Sequence, residues 1–447
     1  MRRKYEGLAG GGREFARYAS LNVLGMLGLS CYILADTFFV AQGLGTDGLA
    51  ALNLAIPVYS LVHGTGLMIG MGGGTLYAIH SGKEDPAANR IFTHAVCLAA
   101  GFAVCFMLIG LFGTEAITSL FGAREAIGEM TSTYLRMILL FSPAFLLNNV
   151  LICFVRNDGA PQLSMAAMLG GSLSNVVLDW VFIFPCGMGI FGAVLATCLA
   201  PLISMLILSL HVLRKHHRFG LIRCRPCRDY LGGILASGLP SWITEVSSGV
   251  VMMTFNAILL RLEGSVGVAA YGVVANLSLV VIAVYTGVAQ GMQPLVSRCC
   301  GAQDIVGMRT ILRYALSTVL VLSVVIYAGI WLGAAPIAGL FNSEGDPLLQ
   351  TIAQEGLRLY FMACPFVGWN IVMAMYFTSA ADPRPAHLLS LLRGFVLILP
   401  LTFLLAWIGQ VRGVWCAFPV TELLVAVAGL VIYALRQSRK GNLHTER

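Results

Sequence analysis

Between residues 15 and 436 the sequence is a succession of apolar stretches, each of the roughly 20 residues needed to cross the hydrocarbon layer of a membrane. Twelve candidate spans fall near residues 15–40, 48–80, 89–113, 128–155, 160–184, 189–213, 231–260, 267–298, 310–333, 351–380, 386–408 and 412–436. Composition agrees: 58% of residues are hydrophobic, 11% are charged and the mean hydropathy is +0.83, values outside those of an ordinary soluble domain. The N-terminal MRRKYEGLAGGGREFAR has a basic start but no short apolar core with a small-residue cleavage site, so no removable signal peptide is expected.

The sequence also repeats itself. At an offset of 219, Gly45 matches Gly264, Gly72 matches Gly291, Gly82 matches Gly301 and Arg90 matches Arg309. At an offset of 222 the match continues with Pro143 and Pro365, Asn148 and Asn370, and Pro161 and Pro383. A tandem duplication follows, with residues 1–222 expected as an N-terminal six-helix lobe and 223–447 as its C-terminal counterpart. Because six spans is an even number, both copies enter the membrane in the same direction, related by a pseudo-two-fold along the membrane normal. Two such lobes leave a cleft between them, and rocking of one against the other is the physical basis of alternating access. Pro57, Pro143, Pro240, Pro294, Pro365 and Pro400 are expected kinks.

Charge sets the orientation. Of 28 Lys and Arg, twenty-three (Arg156 and Arg393 among them) fall on one side if both termini are placed there. Only Arg124, Arg136, Arg261, Arg358 and Arg412 fall on the other, so both termini are expected in the cytoplasm. The net charge of +7 therefore reports topology, and no nucleic-acid partner is expected. Most of the twelve cysteines sit inside spans as small hydrophobes. Cys224 and Cys227, near His216 and His217, form a CxxC without the second CxxC that a zinc site would favour.

Against this apolar background, intramembrane acids stand out. Asp179 lies in the fifth span with Asn175 one turn before it on the same face, and Thr197 follows in the sixth. Counting about 1.5 Å per residue from the outer span ends puts Asp36 about 10 Å, Asp179 about 9 Å, Thr197 about 12 Å and Asn175 about 15 Å deep. Four oxygen-bearing side chains thus share one layer, which suits sodium or a proton relay; two carboxylates brought together there would repel and exchange a proton. The positions matching Asp36, Asn175 and Asp179 in the second lobe are Phe255, Leu397 and Leu401, so the site is expected in the first lobe alone. Glu245 and Glu422 are further acids within spans, and an acidic cavity wall attracts lipophilic cations. Glu245, with Tyr32, Met168 and Phe255 as soft or aromatic wall residues, is the expected substrate contact; His63 reads as a bonded interior histidine.

The stretches SNVVLDWVFIF…GIFGAVLAT, ADTFFVAQGLGTDGLAALNLAIPV and FVRNDGAP resemble the multidrug and toxic compound extrusion (MATE) family, the opening being most similar to its bacterial MepA-type branch. The resemblance spans essentially the whole chain. It implies a polytopic inner-membrane transporter, not an enzyme, that exports cationic or amphipathic drugs by antiport against sodium or protons. It implies no cofactor beyond that ion, a monomer among membrane lipids, a cation site on Asp36, Asn175, Asp179 and Thr197, and Tyr32 beside it. One position departs: where some members carry a proline early in span 1 this chain has Leu21, while the repeat partner is Pro240. Gly25 and Gly28 are the residues left to give span 1 flexibility. Two other readings stay open, a lipid-linked precursor flippase of the same superfamily, which would have a more basic cavity, and an intramembrane aspartyl protease.

Overall fold

The computed structural model describes residues 8–82, 87–120, 125–213, 218–342 and 345–445, and these contain helices and connecting turns but no strand. The α-helices are α1 (Leu8–Gly82), α2 (Ala88–Phe112), α3 (Thr114–Leu120), α4 (Glu125–Leu140), α5 (Ser142–Asn157), α6 (Pro161–Ile183), α7 (Gly189–Leu213), α8 (Arg228–Gly301), α9 (Ile305–Phe341), α10 (Pro347–Tyr360), α11 (Cys364–Ser379), α12 (Pro383–Leu391) and α13 (Ile398–Thr445).

Three of these are too long to be single spans. A straight helix of 75 residues, the length of α1, would run roughly 110 Å. Instead α1 breaks at Gly45, where φ is 65°, and the Tyr32 and Tyr59 hydroxyls, 27 residues apart, meet at 2.8 Å. A left-handed φ is open to glycine at little cost, which is why a hairpin can turn on this one residue. The repeat reproduces the device: α8 breaks at Gly264 with φ 65°, and Gly267 then lies against the carbonyl of Leu259, eight residues earlier. The third break, in α13, falls on Gln410 with φ 49°. Among the described residues eight helices are long and apolar enough to cross a membrane, and a ninth crossing is α4 with α5, bent by 50°. Splitting α1, α8 and α13 at their breaks gives the twelve expected spans.

The prolines divide into two groups. Pro143 and Pro365 stand in the first turns of α5 and α11, where a missing N–H costs nothing; Pro143 marks the bend of the fourth span, and Pro365 follows a single 3-10 turn over Phe361–Ala363 in the tenth. Pro57, Pro240 and Pro294 lie within continuous helix. Gly25 and Gly28 serve packing: a side chain at either would meet Met168 or Leu169 of α6, so span 1 and span 5 approach closely there.

Each half has its own core. One runs from Val40 to Ile234; the other from Phe255 to Val425, joined by Phe15, Tyr18 and Ala19 from the start of α1. The halves meet through paired small residues. A Cβ on Gly72 would strike the Ile234 carbonyl and one on Gly238 the Met68 carbonyl, while a Cβ on Gly291 would lie 2.6 Å from Ala19 Cα. Polar contacts seal the same end. Arg156, 0% exposed, donates through Nη1 to Asn22 Oδ1 at 3.0 Å and to Gln290 Oε1 at 2.7 Å. Gln293 Nε2 donates to Thr75 Oγ1 at 3.2 Å and to Asn157 Oδ1 at 3.1 Å, and Arg298 Nη2 donates to the Asn157 carbonyl at 2.7 Å. In the FVRNDGAP turn, Asp158 accepts from Tyr77 Oη at 2.7 Å, from His211 Nε2 at 2.8 Å and from the Arg218 N–H at 3.0 Å.

Two of the arginines counted as cytoplasmic are in fact interior. Arg156 is buried among amides between the lobes, and Arg393, in a π-helical turn over residues 392–396, is paired with Glu422. Counting by distance from a span end takes no account of an acceptor waiting inside the protein, which is what lets each charge lie inward.

Candidate cation site and cleft

Asp36 on α1, Asn175 and Asp179 on α6, and Thr197 on α7 come together in the first lobe, and Asn175 and Asp179 are 0% exposed. The α6–α7 hairpin is tight enough that Gly192 lies against the Phe182 side chain, which brings the two polar faces into register. With its amide turned so that both ends have a partner, Asn175 donates to Asp179 Oδ2 at 3.0 Å and accepts from the Thr197 N–H at 3.2 Å. The Thr197 hydroxyl donates to the Ala193 carbonyl at 3.2 Å and keeps lone pairs free. The Asp36 and Asp179 carboxyls lie side by side, close enough to share a proton. Asp36 Oδ1 and Asp179 Oδ1 are buried and have no partner. Unpaired carboxylate oxygens beside neutral oxygen donors fit a proton or a small hard cation, the class for which oxygen ligands are suited.

Two tyrosines complete the site. Tyr134 on α4 is within hydrogen-bonding reach of Thr197, and Tyr59 takes or gives the hydrogen bond to Tyr32. Sequence reasoning passed over both, although counting about 1.5 Å per residue from residue 128 puts Tyr134 about 9 Å deep, in the same layer. From Tyr59 the polar groups continue toward the other lobe. Its ring stacks on His63 at 5.7 Å and 10°, and His63 Nδ1 lies 3.5 Å from Glu245 Oε1 of α8. The Glu245 side chain is 33% exposed and lies against His63 and Gly64 of the first lobe.

The other expected wall residues separate. Met168 packs on Gly25 of α1, about three helical turns from Asp179 along α6 and from Asp36 along α1. Phe255, 1% exposed, stacks on Tyr271 at 5.3 Å within the core of the second lobe and does not line the cleft; its large apolar ring is held by neighbouring aromatics instead. Glu422 is also enclosed. Arg393 Nε donates to its Oε1 and Asn370 Nδ2 to its Oε2 at 2.7 Å, leaving no face for a substrate. Removing one partner of a buried ion pair strands the other charge, so Arg393→Met should cost about 3–5 kcal/mol of stability. Thermal unfolding of purified protein should show this loss, with a smaller one for the double change Arg393→Met/Glu422→Gln.

His216 and His217 lie outside the described residues. Cys224 Sγ sits 3.9 Å from His94 Nδ1, and among the described residues no three His, Cys, Asp or Glu side chains are grouped to hold a metal.

The MatE family model matches residues 23–181 and 240–404, one match in each lobe. The multidrug export protein MepA of Staphylococcus saprophyticus is 25% identical over 93% of this chain and 92% of its own length, and that of Staphylococcus aureus 23% over the same shares. Among solved structures, a MATE protein in complex with MaL6 superposes with a TM-score of 0.91 at 24% identity, covering 96% of this chain and 97% of that one. A MOP superfamily transporter from Pyrococcus furiosus superposes with a TM-score of 0.89 at 24% identity, covering 96% of each chain. With both halves matched by the family model and the twelve-helix, two-lobe architecture shared with solved members, the chain belongs to the MATE family of membrane transporters.

Proposed function

We propose that this transporter exports cationic or amphipathic compounds by antiport against protons or sodium ions. One observation carries the reading: two buried carboxyls, Asp36 and Asp179, in contact within one lobe, each with an unpartnered oxygen and flanked by Asn175 and Thr197. The relatives are multidrug export proteins by name, which supports the substrate class. Coupling requires that ion and drug favour different lobe arrangements. A proton or Na⁺ taken up by the pair neutralises it and stabilises one arrangement; the drug enters the other.

Glu245 is the cation-recognising group of the cleft, and Tyr32 and Met168 of the first lobe are the accompanying wall residues. Its contact with His63 is one an arriving organic cation can replace. The boundary between lobes falls at residues 222 and 223, in the basic connector, and the protein acts as a monomer in the cell membrane. Both termini are cytoplasmic, so the sealed end built on Gly72, Gly238 and Arg156 closes the inner side and this arrangement faces outward. The flippase reading needs basic groups on the cleft wall. The interior arginines at 156 and 393 are instead engaged by amides and Glu422.

Dye efflux from inverted vesicles, driven first by an imposed sodium gradient and then by an imposed pH gradient, tests the proposal. Uphill dye movement with one gradient supports antiport and names the ion. No movement with either, together with translocation of a lipid-linked precursor, overturns it. A smaller effect is expected at a neutral ligand: Thr197→Val should weaken the response to the ion about 3- to 10-fold, the cost of one lost oxygen, read as a shift in the gradient needed for half-maximal efflux.

A further inference from the structure

We propose that a groove at the terminus-bearing end of the second lobe binds the headgroup and one acyl chain of an anionic phospholipid. α9 and α13 each pack on α11, and between them lies a cavity of about 250 Å³. Arg309, Arg313 and Leu316 of α9 form one wall, Tyr433 of α13 the other, and Trp369 and Met373 of α11 line the space between. Arg309 and Arg313 are one helical turn apart and exposed, and neither has an acidic partner among the described residues.

The duplication supplies an internal comparison. In the first lobe Arg90 and His94 stand at the matching positions on α2, and there the connector between lobes covers the helix. The Gly220 N–H donates to Asn89 Oδ1 at 3.1 Å, the Ile222 N–H to Thr93 Oγ1 at 3.1 Å and the Cys227 N–H to His94 Nε2 at 2.9 Å. Phe219, 3% exposed, fits its ring among those of Phe92, Phe154 and His211. The first lobe thus covers this helix with a connector tied down by polar groups and anchored by one apolar ring. No described segment does the same in the second lobe, which offers two guanidinium groups above an apolar cavity.

An anionic phospholipid supplies both missing parts. Its phosphate accepts the forked donors of arginine, and an acyl chain lies in the apolar cavity along Leu316 and Met373. Basic pockets between spans on the cytoplasmic side are suited to such headgroups; that side is assigned here by the cytoplasmic placement of both termini.

Purified protein in nanodiscs of equal phosphatidylcholine and phosphatidylglycerol, with the retained lipid measured by native mass spectrometry, tests the proposal. Wild type should retain phosphatidylglycerol in preference. Arg309→Gln/Arg313→Gln changes two exposed side chains and should lower that preference on the order of 30-fold, about fivefold for each charge. Leu316→Trp, which fills the cavity and keeps both charges, should lower it as well, whereas Arg384→Gln, outside the groove, should leave it at the wild-type value. Added inorganic phosphate should not displace the lipid. The proposal is overturned if wild type shows no preference, if the preference survives the double change, if Arg384→Gln lowers it equally, or if free phosphate removes the lipid.

Discussion

Asp36→Asn and Asp179→Asn should each abolish ion-driven efflux, lowering it about 100-fold, while the protein still reaches the membrane and binds drug within a few-fold of wild type. The magnitude is the upper part of the range of ordinary coupling free energies, as expected when the coupling ligand is lost entirely. Asparagine keeps the size of the side chain and one carbonyl oxygen, so packing of α1 against α6 survives. What it removes is the charge that distinguishes an ion-loaded site from an empty one. Each carboxyl has an oxygen with no protein partner, and the two are in contact, so neither substitution is compensated by the other residue. Efflux from inverted vesicles, normalised to membrane abundance on a blot, is the measurement. Full activity in both variants would remove Asp36 and Asp179 from the mechanism.

The second large effect is expected at the sealed end. Gly238→Leu places a side chain against the Met68 carbonyl, where the backbones of α1 and α8 leave no room. Overpacking of this kind costs about 1–3 kcal/mol, which shifts a two-state equilibrium by about 5- to 150-fold toward the arrangement with that end open. Cys153 reports the change, because it is buried beside Arg156 and Met71 in the same seal. In a variant whose other cysteines are replaced, the rate at which a permeant thiol reagent labels Cys153 should rise about 10- to 100-fold with Gly238→Leu. Gly72→Leu should do the same. Gly101→Leu, at a helix position with open space around it, should not. Equal labelling in all of these would mean that the glycine contacts do not control closure.

The span count and the clustering of Asp36, Asn175, Asp179 and Thr197 were legible from sequence because each rests on a regularity a single residue can carry. An apolar run must be a helix in lipid, a repeated Gly45 and Gly264 must turn alike, and depth follows from counting. The interior arginines were not legible. Positive-inside counting scores a residue by its distance from a span end, and nothing in the sequence near Arg156 announces Asn22 or Gln290, 134 residues away in either direction. Arg393 and Glu422 are likewise 29 residues apart, on different spans. Phe255 was misplaced for a related reason: an aromatic ring is equally at home in a core or on a cleft wall, and only its neighbours decide. Tyr134 was legible and missed, since the count that found Thr197 applies to it unchanged.

The glycine contacts between the halves carry a historical consequence. Shifted by the repeat offset of 219, Gly72 becomes Gly291 and Ala19 becomes Gly238, so Gly72 against Gly238 and Gly291 against Ala19 are one contact made twice. Such reciprocity is the signature of an isologous interface, in which one surface is complementary to itself. A half-length ancestor with small residues at these two positions would have closed on a second copy of itself, with no partner of another kind required. Fusion of the two genes then released each half from having to serve both roles. One holds a buried pair of aspartates, each with an oxygen left unpartnered, and the other binds Glu422 to an arginine.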